Sequence, residues 1–138
     1  MITIQIQQEP IDINRTISET GTDSDGAVVS FVGRARNSSR GKSVLYLEYE
    51  VYGEMARKEI KKTAEDAVSK WSLTRCAVIH RYGRVAIGEP SILIAAASPH
   101  RREAFQAVQY IIDTVKEKVP IWKKEFYSDG SSWIDETH

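Results

Sequence analysis

Alternating hydrophobic and polar residues predict most of the strands in this chain. Residues 1–7 and the longer segment 44–52 alternate with a period of two, which is typical of strands that bury one face. Segment 26–33 is rich in β-forming residues and predicts a buried strand that continues toward Arg36. The remaining strands are predicted at residues 75–80, 91–97 and 121–127.

Helical periodicity predicts two long helices. Residues 54–71 carry hydrophobic side chains at helical spacing, and residues 100–118 do so along a stripe from Phe105 to Val115. The second helix should stop before Pro120, because proline disfavours the helical conformation of the residue that precedes it. A shorter helix is expected at residues 11–19. The pattern predicts an α+β fold, with two long helices packed against a mainly antiparallel or mixed sheet.

Length and composition fit one folded domain spanning residues 1–138. A domain of this size buries roughly 70% of the surface of its unfolded chain, so it needs neither disulfides nor metal to fold. Hydrophobic residues make up 41% of the chain and charged residues 28%, which argues against extensive disorder. No hydrophobic run approaches the roughly 20 residues that cross a bilayer. The N-terminus lacks the pattern of a signal peptide, so we expect a cytoplasmic protein.

The cysteine content and the charge distribution limit the kinds of site and ligand that this chain is expected to have. Cys76 is the only cysteine, which excludes a disulfide within one chain, and its hydrophobic neighbours indicate a buried strand position. Nineteen basic and nineteen acidic side chains give zero net charge, which does not point to nucleic acid. Segment 34–42 nevertheless contains four basic residues and no acidic one. This local basic cluster favours a small anionic ligand over a long polyanion.

The start of the second long helix is the first candidate site. Ser98 is a candidate N-cap, and Pro99 suits the first helical turn. Three potential cations follow, namely His100, Arg101 and Arg102. Cations at this end of a helix interact unfavourably with the helix dipole, which costs about 0.3–1 kcal/mol each. A bound anion, by contrast, would attract both the free backbone N–H groups and these side chains. The alternative is that the arginines point to solvent or pair with nearby carboxylates.

The end of the same helix, with the strand after it, is the second candidate site. Lys116 closes the helix and Lys123 lies beyond Pro120, so both side chains are expected to flank one pocket at this corner. A lysine that is partly buried beside apolar groups or other cations has a pKa depressed from about 10.4, which makes it usable as a base or nucleophile. The alternative is that both lysines are solvated and simply favour the helix dipole.

Two arginines after segment 26–33 form the third candidate site. Strand alternation puts Arg34 and Arg36 on one face, where guanidinium groups are able to grip a phosphate in bidentate fashion. The alternative is a basic sheet edge that discourages aggregation. His80, at the end of another strand, is interpreted as structural. The sequence contains no histidine pair with metal-ligand spacing and no phosphate-binding glycine motif, so we expect no metal site.

Taken together, these segments resemble the large, catalytic subunits of molybdopterin synthase. The similarity extends from Gly26 to Trp133, and the order and spacing of the motifs are far more specific than any motif alone. The matching motifs are residues 26–33 with Arg36-Asn37, residues 47–50, residues 78–81 with Gly83, residues 98–101 with Ala104-Phe105, and residues 119–125. Pro99 is a mild departure, because a small residue is common there in the family.

The resemblance implies a fold, a reaction and partners. The family has an α/β hammerhead fold and forms a homodimer, and each large subunit receives a small ubiquitin-like sulfur-carrier subunit to give a heterotetramer. The partner's C-terminal Gly-Gly tail bears a thiocarboxylate and enters a pocket of the large subunit, so no further cofactor is implied. Two sulfur transfers convert cyclic pyranopterin monophosphate into molybdopterin. The implied activity is that of a sulfurtransferase in molybdenum cofactor biosynthesis.

The resemblance also assigns roles to five residues. Lys123 matches the lysine of the family's Pro-x-Trp-Lys motif and Lys116 matches the lysine seven residues earlier, so both are implied to be catalytic. Arg36, His100 and Arg101 match residues that help to hold the anionic pterin, partly across the dimer interface. Two other functions stay open: a non-catalytic module that binds an anionic ligand or a partner's C-terminal tail, and an RNA-binding domain, which requires a basic surface with exposed stacking aromatics.

Overall fold

The computed structural model describes residues 1–135, so the last three residues of the predicted domain lie outside the described residues. The predicted α+β class is confirmed. The elements are β1 (Ile2–Gln7), α1 (Ile13–Thr20), β2 (Ala27–Arg34), β3 (Ser38–Ser39), β4 (Lys42–Val51), α2 (Gly53–Trp71), β5 (Arg75–Arg81), β6 (Gly83–Ala86), β7 (Pro90–Ser98), α3 (Arg101–Lys118), β8 (Ile121–Tyr127) and β9 (Gly130–Asp135).

The strands form two sheets, whereas the sequence pattern predicts one. In the first sheet the order is β1-β5-β7-β2, with β1 parallel to β5 and the other neighbours antiparallel. In the second sheet β4 lies between β6 and β8, and β9 continues beyond β8. The pattern does not predict β3, β6 or β9, because the first two are short and the third is largely polar.

Helices cover both faces of the first sheet. On one face, Ile60 of α2 and Ile111 of α3 pack with Ile94 of β7 in the main hydrophobic core, and all three are fully buried. On the other face, Leu93 of β7 packs with Ile11, the residue two before α1. Strand β7 therefore reads as an uninterrupted hydrophobic run, because both of its faces are covered.

Two details of burial differ from the sequence prediction. Strand β2 is an edge strand with mostly half-buried side chains, because β7 alone pairs with it. Phe105 is 60% exposed, because the face of α3 that meets the core is carried by Ala104, Val108 and Ile111. Within residues 1–135, no helix is long and apolar enough to cross a membrane.

Candidate active site

The junction between α3 and β8 brings Lys116 and Lys123 to one corner of the molecule. Lys116 lies in the last turn of α3, which ends at Val119 in an extended conformation, as the following proline predicts. The N–H of Ile121 donates to the carbonyl of Val119 at 2.8 Å, which makes a tight turn directly into β8. The chain therefore doubles back within a few residues, and both lysines lie near Tyr49 of β4.

Strand register fixes the surroundings of Lys123. On β4, Tyr49 pairs with Lys123 of β8 on one side and with Gly83 of β6 on the other. Directly paired residues project their side chains from the same face of a sheet, so the half-buried Lys123 lies beside the buried Tyr49. Lys124 projects from the opposite face, with its Nζ 5.3 Å from the ring centre of Phe126. The two adjacent lysines therefore have different environments.

A narrow cleft adjoins Lys116. It has a volume of about 10 Å³, which is enough for one water molecule. His80 and Tyr49 form part of its wall, with their rings edge-to-face at 5.2 Å and 73°. His80 is 4% exposed, and its Nδ1 lies 2.7 Å from the carbonyl oxygen of Arg81. The cleft thus combines a lysine with two buried polar aromatic side chains.

A buried carboxylate lies on the same face of β8 as Lys123. Glu125 is two residues further along the strand and only 4% exposed. The hydroxyl of Tyr127 donates to Glu125 Oε1 at 2.6 Å, and this hydrogen bond raises the pKa of Tyr127. Glu125 therefore places a buried carboxyl group on the face of β8 that carries Lys123.

Arg36 lies at the same end of the first sheet as Lys116. It follows β2, whose Gly33 pairs with Ile92, and Ile92 lines the cleft. Arg34 and Arg36 are both exposed on either side of the buried Ala35, but β2 ends at Arg34, so Arg36 lies beyond the strand. Arg34 is held by a hydrogen bond from its Nε to the carbonyl of Gly88 at 3.1 Å.

The other end of α3 carries His100 and Arg101. The helix begins within one residue of the predicted start, but the predicted N-cap is wrong: Ser98 belongs to β7, where it pairs with Ala27, and His100 is the N-cap. The hydroxyl of Ser98 donates to the carbonyl of His100 at 2.5 Å rather than accepting from the helix. Both His100 and Arg101 are exposed. The nonlocal pairing of the strand therefore overrides the local capping preference of serine.

Distance along α3 separates the five predicted site residues into two groups. Lys116 follows His100 by sixteen residues, and a helix that rises 1.5 Å per residue makes this about 24 Å. Lys116, Lys123 and Arg36 lie at one end of the chain's fold, whereas His100 and Arg101 lie at the other. One chain does not gather all five around a single small ligand.

Sequence reasoning did not single out Tyr49 or Glu125, and it interpreted His80 as structural. All three lie in motifs that carry the family resemblance. Glu125 shares a face with Lys123 by strand alternation, but only the register places Tyr49 beside Lys123, and only packing places His80 in the cleft with Lys116. Cys76 is buried as predicted, and this burial raises the pKa of its thiol to about 12. Among residues 1–135, no three His, Cys, Asp or Glu side chains converge to hold a metal ion.

Comparisons with known sequences show the family of this chain. The family model described as MoaE protein matches residues 6–118, a range that contains four of the five candidate positions and stops before Lys123. A Dictyostelium discoideum protein named molybdopterin synthase catalytic subunit is 47% identical over 132 residues, covering 94% of this chain and 84% of that protein. A Homo sapiens protein of the same name is 50% identical over 108 residues, covering 78% of this chain and 57% of that protein.

Solved structures share the fold. The crystal structure of molybdopterin synthase from Staphylococcus aureus matches with a TM-score of 0.90 and 41% identity, covering 94% of this chain and 95% of that one. A protein–protein complex of subunits 1 and 2 of molybdopterin-converting factor from Helicobacter pylori matches with a TM-score of 0.78 over 96% of this chain and 90% of that one. Its 20% identity shows the fold alone. From the family model and these relatives, the chain belongs to the MoaE family.

Proposed function

We propose that this chain is the catalytic subunit of a molybdopterin synthase. It would transfer sulfur from the C-terminal thiocarboxylate of a small ubiquitin-like subunit to cyclic pyranopterin monophosphate. The observation that carries the proposal is the convergence of Lys116 and Lys123 beside the buried Tyr49, in a chain of the MoaE family. The names of the chain's relatives support the reaction, and the lysine pair supports the chemistry that the reaction requires.

The two lysines suit the charge that the reaction develops. Attack by sulfur on the pterin and opening of the cyclic phosphate both build negative charge, which fixed cations stabilise. In this proposal Lys123 acts as general acid and base or transiently attaches the substrate. Lys116 supports it and helps to bind the thiocarboxylate tail, and Arg36 at the same end of the sheet holds the phosphate.

The sulfur is proposed to come from the partner rather than from this chain. Cys76 is 2% exposed and its pKa is raised to about 12, so its thiol stays protonated at neutral pH and is a poor nucleophile. No other cofactor is part of the proposal. A cytoplasmic location is proposed with it, since the partner and the substrate of such a reaction are small and water-soluble.

We propose a homodimer in which each active site combines residues from two copies of the chain. His100 and Arg101 lie about 24 Å from Lys116 along α3, so they would serve the site of the second copy. A small subunit bound to each large subunit completes a heterotetramer. The Helicobacter pylori complex of subunits 1 and 2, which shares the fold, supports a two-component assembly of this kind.

The test of the proposal is product formation with a matched pair of lysine variants. The protein is mixed with a thiocarboxylated small subunit and the cyclic pterin, and the dithiolene product is quantified. Lys123→Ala should lower turnover by about 10²–10⁴-fold, the usual contribution of an acid–base group. Lys124→Ala, on the opposite face of β8, should leave turnover near that of the unmodified protein.

Two outcomes would contradict the proposal. Near-normal turnover by Lys123→Ala removes the lysine assignment. If the unmodified protein binds a competent partner yet forms no product, the non-catalytic binding module becomes the better interpretation.

A further inference from the structure

The turn after β5 is held by a buried arginine. Arg81 is 5% exposed, and its Nε and Nη2 donate to the carbonyl of Gln8 at 3.2 and 3.0 Å. Its Nη2 also donates to the carbonyl of Arg84 at 3.2 Å, and its Nη1 lies 3.4 Å from Glu89 Oε1. These contacts tie β1, β5 and β6 together. The N–H of Tyr82 donates to the carbonyl of Gln7 at 2.9 Å, which fixes the peptide group that contains the carbonyl of Arg81.

The fixed carbonyl of Arg81 determines the protonation pattern of His80. A carbonyl oxygen only accepts hydrogen bonds, so the Nδ1 that lies 2.7 Å from it must carry a hydrogen. In the neutral imidazole the hydrogen is then on Nδ1, and Nε2 is an acceptor. In its neutral form His80 thus has a hydrogen-bond acceptor at Nε2, and the buried residue lines the same cleft as Lys116.

Tyr49 connects this histidine to the second lysine. Its ring packs edge-to-face on His80, and its backbone is paired with that of Lys123. Tyr49 is 6% exposed, so its ring has little freedom to reorient. Packing alone would favour an apolar pair here, because buried polar atoms cost free energy unless they are hydrogen-bonded. Here a tyrosine and a histidine with a defined tautomer both lie beside lysines. This choice of residues therefore indicates a function that uses their polar atoms, beyond packing.

We propose that His80 and Tyr49 are positioning residues that hold the ammonium groups of Lys116 and Lys123 in the orientation used on the substrate. The inference rests on the proposed function and deepens it. A lysine has three donors on a flexible four-carbon stem, so its reactive geometry must be imposed by acceptors around it. Preorganisation of this kind accelerates the chemical step rather than substrate binding.

Three substitutions separate positioning from packing. Tyr49→Phe keeps the ring and removes the hydroxyl. His80→Asn keeps a donor close to the position of Nδ1 and removes the acceptor, whereas His80→Gln extends an amide toward the position of Nε2. Tyr49→Phe and His80→Asn should each lower kcat by roughly 10- to 100-fold, the factor for a lost hydrogen bond to a charged group. KM and Tm should stay close to those of the unmodified protein.

Comparison of kcat and Tm among the variants distinguishes a positioning role from a structural one. His80→Gln should recover much of the kcat that His80→Asn loses, and the double variant Tyr49→Phe/His80→Asn should be little slower than the worse single variant. If the losses in kcat follow losses in Tm, or if the asparagine and glutamine variants behave alike, the two residues are structural only and the inference is overturned. If the unmodified protein is active and Tyr49→Phe is unchanged, the inference fails while the proposed function stands.

A second measurement does not depend on turnover. Acetic anhydride acylates lysine amines, and mass spectrometry measures the rate at each lysine in the full-length protein. Tyr49→Phe and His80→Asn should change the rates at Lys116 and Lys123 severalfold, with Lys124 as the unchanged internal reference. Unchanged rates at both lysines would overturn the positioning role even if the protein proved not to be a synthase.

Discussion

Two inactive variants of this chain should restore activity when they are combined. Lys123→Ala removes a residue beside the C-terminal end of α3, and Arg101→Ala removes the first residue of this helix, which lies fifteen residues, or about 22 Å, before Lys116. In a mixed dimer, one site then carries both substitutions and the other carries neither. In a random one-to-one mixture half of the dimers are mixed, so about one quarter of the original sites are intact.

The assay uses differently tagged variants that are co-expressed or allowed to exchange subunits. Product formation is measured with excess thiocarboxylated small subunit and with cyclic pterin well below its KM, where loss of Arg101 has its full effect. Each variant alone should give at most a few per cent of normal activity, in line with the loss of a charged contact, and the mixture about one quarter. Lys116→Ala mixed with Lys123→Ala is the control, because both lysines lie at the same end and no intact site forms. Verified exchange without recovery would refute a site shared between two chains.

Three further predictions concern other parts of the molecule. Cys76→Ser should retain turnover. The native thiol, whose pKa is about 12, should resist alkylation at pH 8 until urea exposes it. Mass spectrometry measures the alkylation of the folded and of the urea-unfolded protein. Ile111→Ala should lower the free energy of unfolding by about 2–5 kcal/mol in urea titrations, because the side chain is fully buried. Burial acts to raise the pKa of Asp25, but hydrogen bonds from Thr74, at 2.6 Å, and from Thr22 outweigh it and lower the pKa. The resulting stabilisation is present above the ordinary value of 3.8 and is lost as the pH falls through the lower folded value. Thr74→Val should therefore lower Tm at pH 7, with a difference that shrinks in acid.

Local pattern predicts the elements of this fold better than it predicts their partners. The stop of α3 at Val119 follows from Pro120, a neighbour in sequence, and the structure confirms it. The division of the strands into two sheets is absent from the pattern, because alternation shows which face is buried and not which strand lies alongside. The start of α3 shows the conflict directly: Ser98 is a good N-cap by type, but pairing with Ala27 keeps it in β7.

The same distinction holds for the candidate site, where local sequence predicts some of the contacts and packing determines the others. Lys116 and Lys123 are predictable because a proline turn of a few residues brings them together. The contribution of Tyr49 depends on the register of β4 with β8, and the contact of Tyr49 with His80 joins two different sheets. Such proximity arises only when residues far apart in sequence pack together, so the residue types alone give no sign of it.

The length of α3 limits the insertions that this chain tolerates. Under the proposed dimer, the helix is a rigid spacer whose two ends serve two different active sites. Each residue of a helix adds 1.5 Å of length and about 100° of rotation. A single insertion near Gln109, in the middle of α3, would therefore leave every candidate residue present and yet turn Lys116 away from His80. The number of residues between the two ends of α3 is thus as much a part of the active sites as the side chains themselves.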